Sequence, residues 1–320
     1  MSIFRKASVV IILVQLIIIG CLIAFLIKTT FFSGIAVDPI KKAEIVEESK
    51  GDYKYFFEPV PNSSDPATLQ KDRKIKAKYT INSDALNERY DYLPEKQKGN
   101  FRIITLGASF TQGLYVDTKD NWTEILEDKL NKLSCKNFRK IEVINLGYRG
   151  YDNDYVVERY RRRGVKYNPD LVIWLQSPFL VPVEKVQMLT QEKMRKNYNP
   201  KEPVAVTEEK YSKTYIKASN EILKEMGGME ALVNYQKKAI LNIGKFYHSS
   251  LILAAIHSMP VEQKKLLKSL VANNKNWSYF DGMRKFSVFT TDWHPDGKGN
   301  QMIAEDIYSY LKNSKVFQCN

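Results

Sequence analysis

The chain has 320 residues, 44 % hydrophobic and 27 % charged, an ordinary globular composition that excludes wholesale disorder and collagen-like fibres. Its 49 Lys and Arg outweigh 36 Asp and Glu, for a net charge of +13, which suits anionic partners such as phospholipid head groups or acidic cell-surface polymers. The basic residues are spread out, without zinc-finger spacing or an RNA-binding aromatic motif, so no nucleic-acid partner is expected. Three cysteines are too few for a disulfide scaffold or a four-cysteine zinc site.

Residues 7–27 contain no charge and are mostly Val, Ile and Leu. As a helix they would span about 31 Å, the thickness of a bilayer's hydrocarbon core. Arg5 and Lys6 precede the stretch, whereas over 28–50 Lys28, Lys41, Lys42 and Lys50 are cancelled by Asp38, Glu44, Glu47 and Glu48. This bias predicts a single-pass signal anchor in the cell membrane, with the N-terminus cytoplasmic and the bulk extracytoplasmic. A cleaved signal ending near Gly34 to Ala36 and a lipoprotein-type box at Ile18 to Cys21 remain as alternatives. All three export the chain, so Cys135 and Cys319 either pair in an oxidising space or stay as two free thiols.

Residues 1–32 therefore read as cytoplasmic tip and anchor, 33–95 as stem and leader, and 96–320 as one domain with an insertion at 183–227. In the leader, the alternation over 75–81 predicts a strand. The domain opens with a buried strand over 101–106 that ends in Gly107, then a helix over 118–133 with Trp122, Ile125, Leu126, Leu130 and Leu133 on one face. A strand at 141–145, a helix at 151–163 and a strand at 170–175 follow. Arg159, Arg161, Arg162 and Arg163 read as a solvated face of that helix, and Asp152 and Asp154 as helix-start residues.

The charged, Met- and Lys-rich stretch 183–227 reads as an insertion or lid. Beyond it come a helix at 230–247, a strand at 250–256, a helix at 261–271, a weak strand at 277–280 and a helix at 299–311. Strands alternating with helices predict an α/β protein, a three-layer α/β/α parallel sheet. Its ligand site should lie beyond the carboxyl ends of the strands.

Only three histidines are present, so a proton shuttle working near neutrality has few candidates. His294 lies two residues after Asp292, which could fix its tautomer or stabilise its imidazolium. His257, just after a strand, reads as structural. Ser109, between Gly107 and Gly113 directly after the first strand, is the candidate nucleophile, since a serine hydroxyl attacks a carbonyl only with a base nearby. No cluster suggests a metal site and no loop suggests a phosphate cradle, so no cofactor is expected.

With these blocks the chain resembles the SGNH/GDSL hydrolases, in particular their membrane-anchored members. Residues 102–113 resemble the block carrying the nucleophilic serine, here Ser109. Residues 145–150 resemble the block whose glycine N–H donates to the oxyanion, here Gly150, and 292–295 the block with the catalytic Asp292 and His294. Residues 80–86 resemble the leader of membrane-linked members. The resemblance implies a flavodoxin-like sheet and a serine esterase whose oxyanion hole is built from the Ser109 and Gly150 amides.

Two departures stand out. Ala108 replaces the usual Asp before the serine. The block that should supply an oxyanion-hole Asn after the third strand reads instead Gln176, Ser177, Pro178, Phe179. Losing one such donor costs about 10²–10³ in rate, and Gln176 is the side chain left to substitute for it. The expectation is an exported, membrane-anchored esterase acting on ester groups, with O-acyl groups of a cell-surface glycan or lipid as the expected substrate class. An O-acyltransferase of the same fold and a non-catalytic glycan-binding form are the alternatives.

Overall fold

The computed structural model describes residues 53–64, 67–68, 75–197, 199 and 204–319. The expected membrane segment at 7–27 lies outside them. Among the described residues no helix is long and apolar enough to cross a membrane.

Strands β1 (Ala67–Thr68) and β2 (Lys76–Ala77) form a two-residue antiparallel pair ahead of the main sheet. That pair, plus one bridge between Ile81 and Asn87, is less than the strand predicted over 75–81. The reason lies in where the backbone donors go. The Lys78 N–H is taken by Asp117 Oδ1 and the Thr80 N–H by Thr118 Oγ1, each at 2.8 Å. Ala77, Tyr79 and Ile81 meanwhile bury themselves with Leu114 in a small core of their own.

The main sheet contains β3 (Asn100–Gly107), β4 (Lys140–Asn145), β5 (Leu171–Gln176), β6 (Ser250–Ala255) and β7 (Trp277–Phe280). All neighbours are parallel, in the order β4-β3-β5-β6-β7. Its first strand thus lies between its second and third, the flavodoxin-like arrangement, with a topological switch point at β3. Every residue of β5 is buried, as a strand covered on both faces must be. Arg102 on β3 pairs in register with Glu142 on β4, its Nε donating across at 2.7 Å.

Eight described helices surround or extend the sheet: α1 (Ser109–Gln112), α2 (Trp122–Asn131), α3 (Asn153–Arg159), α4 (Val183–Lys196), α5 (Val204–Glu225), α6 (Met229–Asn242), α7 (Val261–Ala272) and α8 (Gly297–Lys312). α2 packs on α8, while α3 packs on α6 and α6 on α7. The region read as an insertion holds α4 and α5, which pack on each other around Val186, Ala218 and Ile222. Phe56, Leu86 and Tyr92, from the region read as stem and leader, are buried in the same core as the sheet.

The arginine run corrects a sequence expectation. Arg159 is fully buried rather than solvated. Its guanidinium donates to the Leu146 carbonyl at 3.0 Å and to Glu58 and the Ala85 carbonyl at 2.6 Å each. A guanidinium so satisfied tolerates burial, because its planar fork of donors is matched on several sides. Arg163 also reaches Glu58, and with Lys166 it pairs with Asp84. The Arg159 and Arg163 cations hold the Glu58 carboxyl below its ordinary range although burial acts the other way. These residues bind the segment before the sheet to the domain.

Cys135 and Cys319 are joined in a disulfide. It ties the loop after α2 to the end of the chain, beside Phe101, Phe138 and Phe317, whose rings pack together.

Candidate active site

Ser109 stands just past the carboxyl end of β3, the strand at the switch point. Gly107 makes the turn possible: its φ is +152°, and a Cβ there would lie 2.2 Å from Thr111 Oγ1 and 2.8 Å from the Leu175 carbonyl. The chain leaves the strand straight into α1, whose first residue is Ser109. Its N–H and that of Gly150 donate to no protein group among the described residues.

Asp292 and His294 arrive from the far end of the sequence, on the loop that leads into α8. That loop is folded on itself by hydrogen bonds from Phe289 N–H to the His294 carbonyl at 3.2 Å and from Asp292 N–H to the Phe289 carbonyl at 3.3 Å. Asp296 caps α8 by accepting from Gly299 N–H at 2.8 Å. Asn300, one turn into α8, accepts the Trp122 N–H at 3.1 Å and so seats the helix against α2.

These two elements bring His294 Nε2 to 2.8 Å from Ser109 Oγ. On the opposite ring edge, His294 Nδ1 bonds Asp292 Oδ1, which also accepts the His294 N–H at 2.9 Å. With Asp292 as acceptor, the consistent assignment of protons puts one on Nδ1 and leaves the Nε2 lone pair facing the serine. Burial pushes the imidazole below its ordinary pKa, outweighing the neighbouring Asp292 carboxylate, which pulls it up. The ring is therefore neutral near pH 7, the form a general base requires.

Aromatic rings wall the histidine in. Tyr115 meets it edge-on at 5.6 Å, Phe110 at 5.4 Å, and Trp293 lies tilted against it at 4.6 Å. Trp293 is 57 % exposed and also packs on Phe110, so it forms the outer wall. Tyr115 adopts a left-handed φ of +70°, a costly conformation for a bulky residue, and its N–H donates to the Tyr79 hydroxyl at 2.9 Å. None of these rings was singled out from the sequence. Phe110, next to Ser109, and Trp293, between Asp292 and His294, carry a positional signal in the sequence; Tyr115 carries none.

No family model matches the chain, and no curated protein does. Solved structures with some likeness exist. TesA is 13 % identical with a TM-score of 0.38, over 66 % of this chain and 98 % of that one. The psychrotrophic esterase EstA from a Pseudoalteromonas species is 16 % identical with a TM-score of 0.33, over 66 % and 96 %. A catalytic mutant of Axe2, an acetylxylan esterase from Geobacillus stearothermophilus, is 11 % identical with a TM-score of 0.38, over 71 % and 100 %. Likeness this remote assigns no chemistry, and the site stands on its own geometry.

The remaining sequence candidates are placed as follows. Gly150 follows β4 in an exposed turn with φ +74°. Gln176 ends β5, is buried, and its Nε2 has no hydrogen-bond partner. It faces a cavity of about 10 Å³ lined also by Gly107, Ala108, Asp152, Asn153 and Gln236; neither Ser109, Gly150 nor His294 lines it. Asp152 accepts from Tyr155 N–H at 2.9 Å and Val183 N–H at 3.0 Å, so it caps α3 and anchors α4; burial raises its carboxyl to about 7. His257 is packed edge-on against Phe286, 4.7 Å between ring centres. Among the described residues no group of His, Cys, Asp and Glu is arranged to hold a metal.

Proposed function

We propose that the protein is a serine esterase. The observation that carries this reading is the contact between Ser109 Oγ and His294 Nε2 at 2.8 Å, made by residues 185 positions apart, with Asp292 on the other ring nitrogen. Ser109 Oγ attacks the ester carbonyl carbon while its proton passes to His294 Nε2. Asp292 holds the tautomer and stabilises the imidazolium that forms. The free N–H groups of Ser109 and Gly150 supply the donors for the tetrahedral oxyanion. When the intermediate collapses, the carbon–oxygen bond to the leaving alcohol breaks and His294 returns the proton to that alcohol. Water then attacks the acyl carbon, giving a proton to His294; the carbon–Oγ bond breaks, His294 returns the proton to Ser109 Oγ, and the carboxylic acid leaves. A second alcohol in place of water would make the same intermediate the donor for acyl transfer.

We further assign the uncharged stretch 7–27 as a membrane anchor and the site to the extracytoplasmic side, on the charge bias around that stretch. The net charge of +13 and a surface location favour O-acyl groups on an anionic envelope polymer as substrate. A fluorophosphonate probe tests the chemistry: labelling of the full chain that is lost in Ser109→Ala supports it, and labelling that persists overturns it. Glycan binding without turnover would instead mark a non-catalytic module.

A further inference from the structure

The Gly150 donor sits at the end of a run of amides whose partners can be followed one by one. The Gly147 N–H donates to Asn145 Oδ1 at 2.8 Å. The Tyr148 N–H donates to the Gly107 carbonyl at 3.3 Å. The Arg149 N–H donates to Gln112 Oε1 at 3.0 Å. Gly150 is the first whose N–H has no partner among the described residues.

The first two tethers are local: a side chain turning back on its own loop, and an amide continuing the β3–β4 contact past the end of the strands. The third comes from the nucleophile's own helix, three residues after Ser109. Gln112 is buried, and its backbone carbonyl is pinned by the side-chain amides of Asn87 at 2.8 Å and Asn121 at 3.0 Å. Its side chain therefore leaves a fixed base and ends on the peptide just before Gly150. It touches none of Ser109, Asp292 or His294 by hydrogen bond.

We propose that Gln112 is a positioning residue for the oxyanion hole: its side-chain carbonyl holds the Arg149 amide so that the Gly150 N–H is aimed at the same point as the Ser109 N–H. This rests on the esterase reading. The consequence is a split in kinetic effect. An aligned donor matters most where charge develops, so its misalignment lowers kcat and leaves KM nearly unchanged.

The test is p-nitrophenyl acetate hydrolysis by the full chain, with kcat expressed per Ser109 titrated by a fluorophosphonate. Gln112→Met keeps the volume and deletes the acceptor; its kcat should fall about 10- to 100-fold, below the full 10²–10³ of a lost donor, with KM within about threefold. Gln112→Glu keeps an acceptor oxygen at the same reach and should recover most of the loss. Gln112→Asn withdraws the carbonyl by one methylene, should fall as the Met variant does, and serves if that variant does not fold. A kcat for Met and Asn variants within twofold of wild type overturns the proposal, as does a Glu variant as slow as the Met one. Turnover that survives Ser109→Ala would show that the esterase reading itself has failed, a result distinct from either.

Discussion

The loops after β4 and β5 flank the nucleophile's strand on its two sides and have opposite fates. After β4, three successive amides are tied down and the fourth, on Gly150, is left free in an exposed turn. After β5, the chain turns inward. Phe179 is buried, its N–H donates to Gln263 Oε1 at 3.1 Å, and the Leu180 carbonyl accepts from Gln236 Nε2 at 2.6 Å. One loop spends its hydrogen bonds to present a donor; the other spends them to close the core against α6 and α7. An oxyanion hole needs donors with no internal partner, and on the β4 side a run of tethered amides leads up to one, on Gly150.

This contrast can be broken by mutation, most sharply at the nucleophile. Ser109→Ala should lower kcat by on the order of 10⁴–10⁶, measured as burst-free p-nitrophenyl acetate turnover; a smaller loss would mean that the loops serve some other group. Asp292→Asn follows, at about 10³–10⁴, because the amide cannot hold the Nδ1–H tautomer. Gly150→Ala should cost about 10²–10³ in kcat with little change in KM, since φ +74° strains any L side chain there and turns the donor away. Gln236→Ala and Gln263→Ala should each lower Tm by a few degrees, from about 1–2 kcal/mol of lost buried hydrogen bonding, yet leave kcat/KM within about twofold. A large rate loss in either would return the β5 loop to the oxyanion hole.

The smallest expected effect is on the pH profile. Burial depresses the His294 pKa, and only the neutral ring acts as base. Log kcat/KM should therefore rise with unit slope in acid and level off at a pKa below 6.5. Asp292→Asn removes the carboxylate that opposes burial and should move that limb lower still. A limb above 6.5 in the wild type would mean that the Asp292 carboxylate outweighs burial at the ring.

Much of this was legible in the linear chain. Apolar runs bounded by glycine and polar turns mark β3 to β7 to within a residue or two, because a strand covered on both faces must be apolar throughout. Gly107, Ser109, Asp292 and His294 could be picked out because turn chemistry and proton transfer each need particular residue types. The alternation at 75–81 misled, since its amides bond to Asp117 and Thr118, which no local pattern announces. Arg159 misled for a similar reason: its partners Glu58, Ala85 and Leu146 come from three separate segments.

The amino-acid sequence by itself settled the periodicities, the charge balance and the inventory of reactive groups, because those depend on neighbours a few residues apart. Tertiary structure alone decided that Cys135 meets Cys319, that Tyr115, Phe110 and Trp293 enclose the histidine, and that Gln112 ties down the Arg149 amide. Each depends on where distant segments meet, and that is set by how the whole core packs around the sheet.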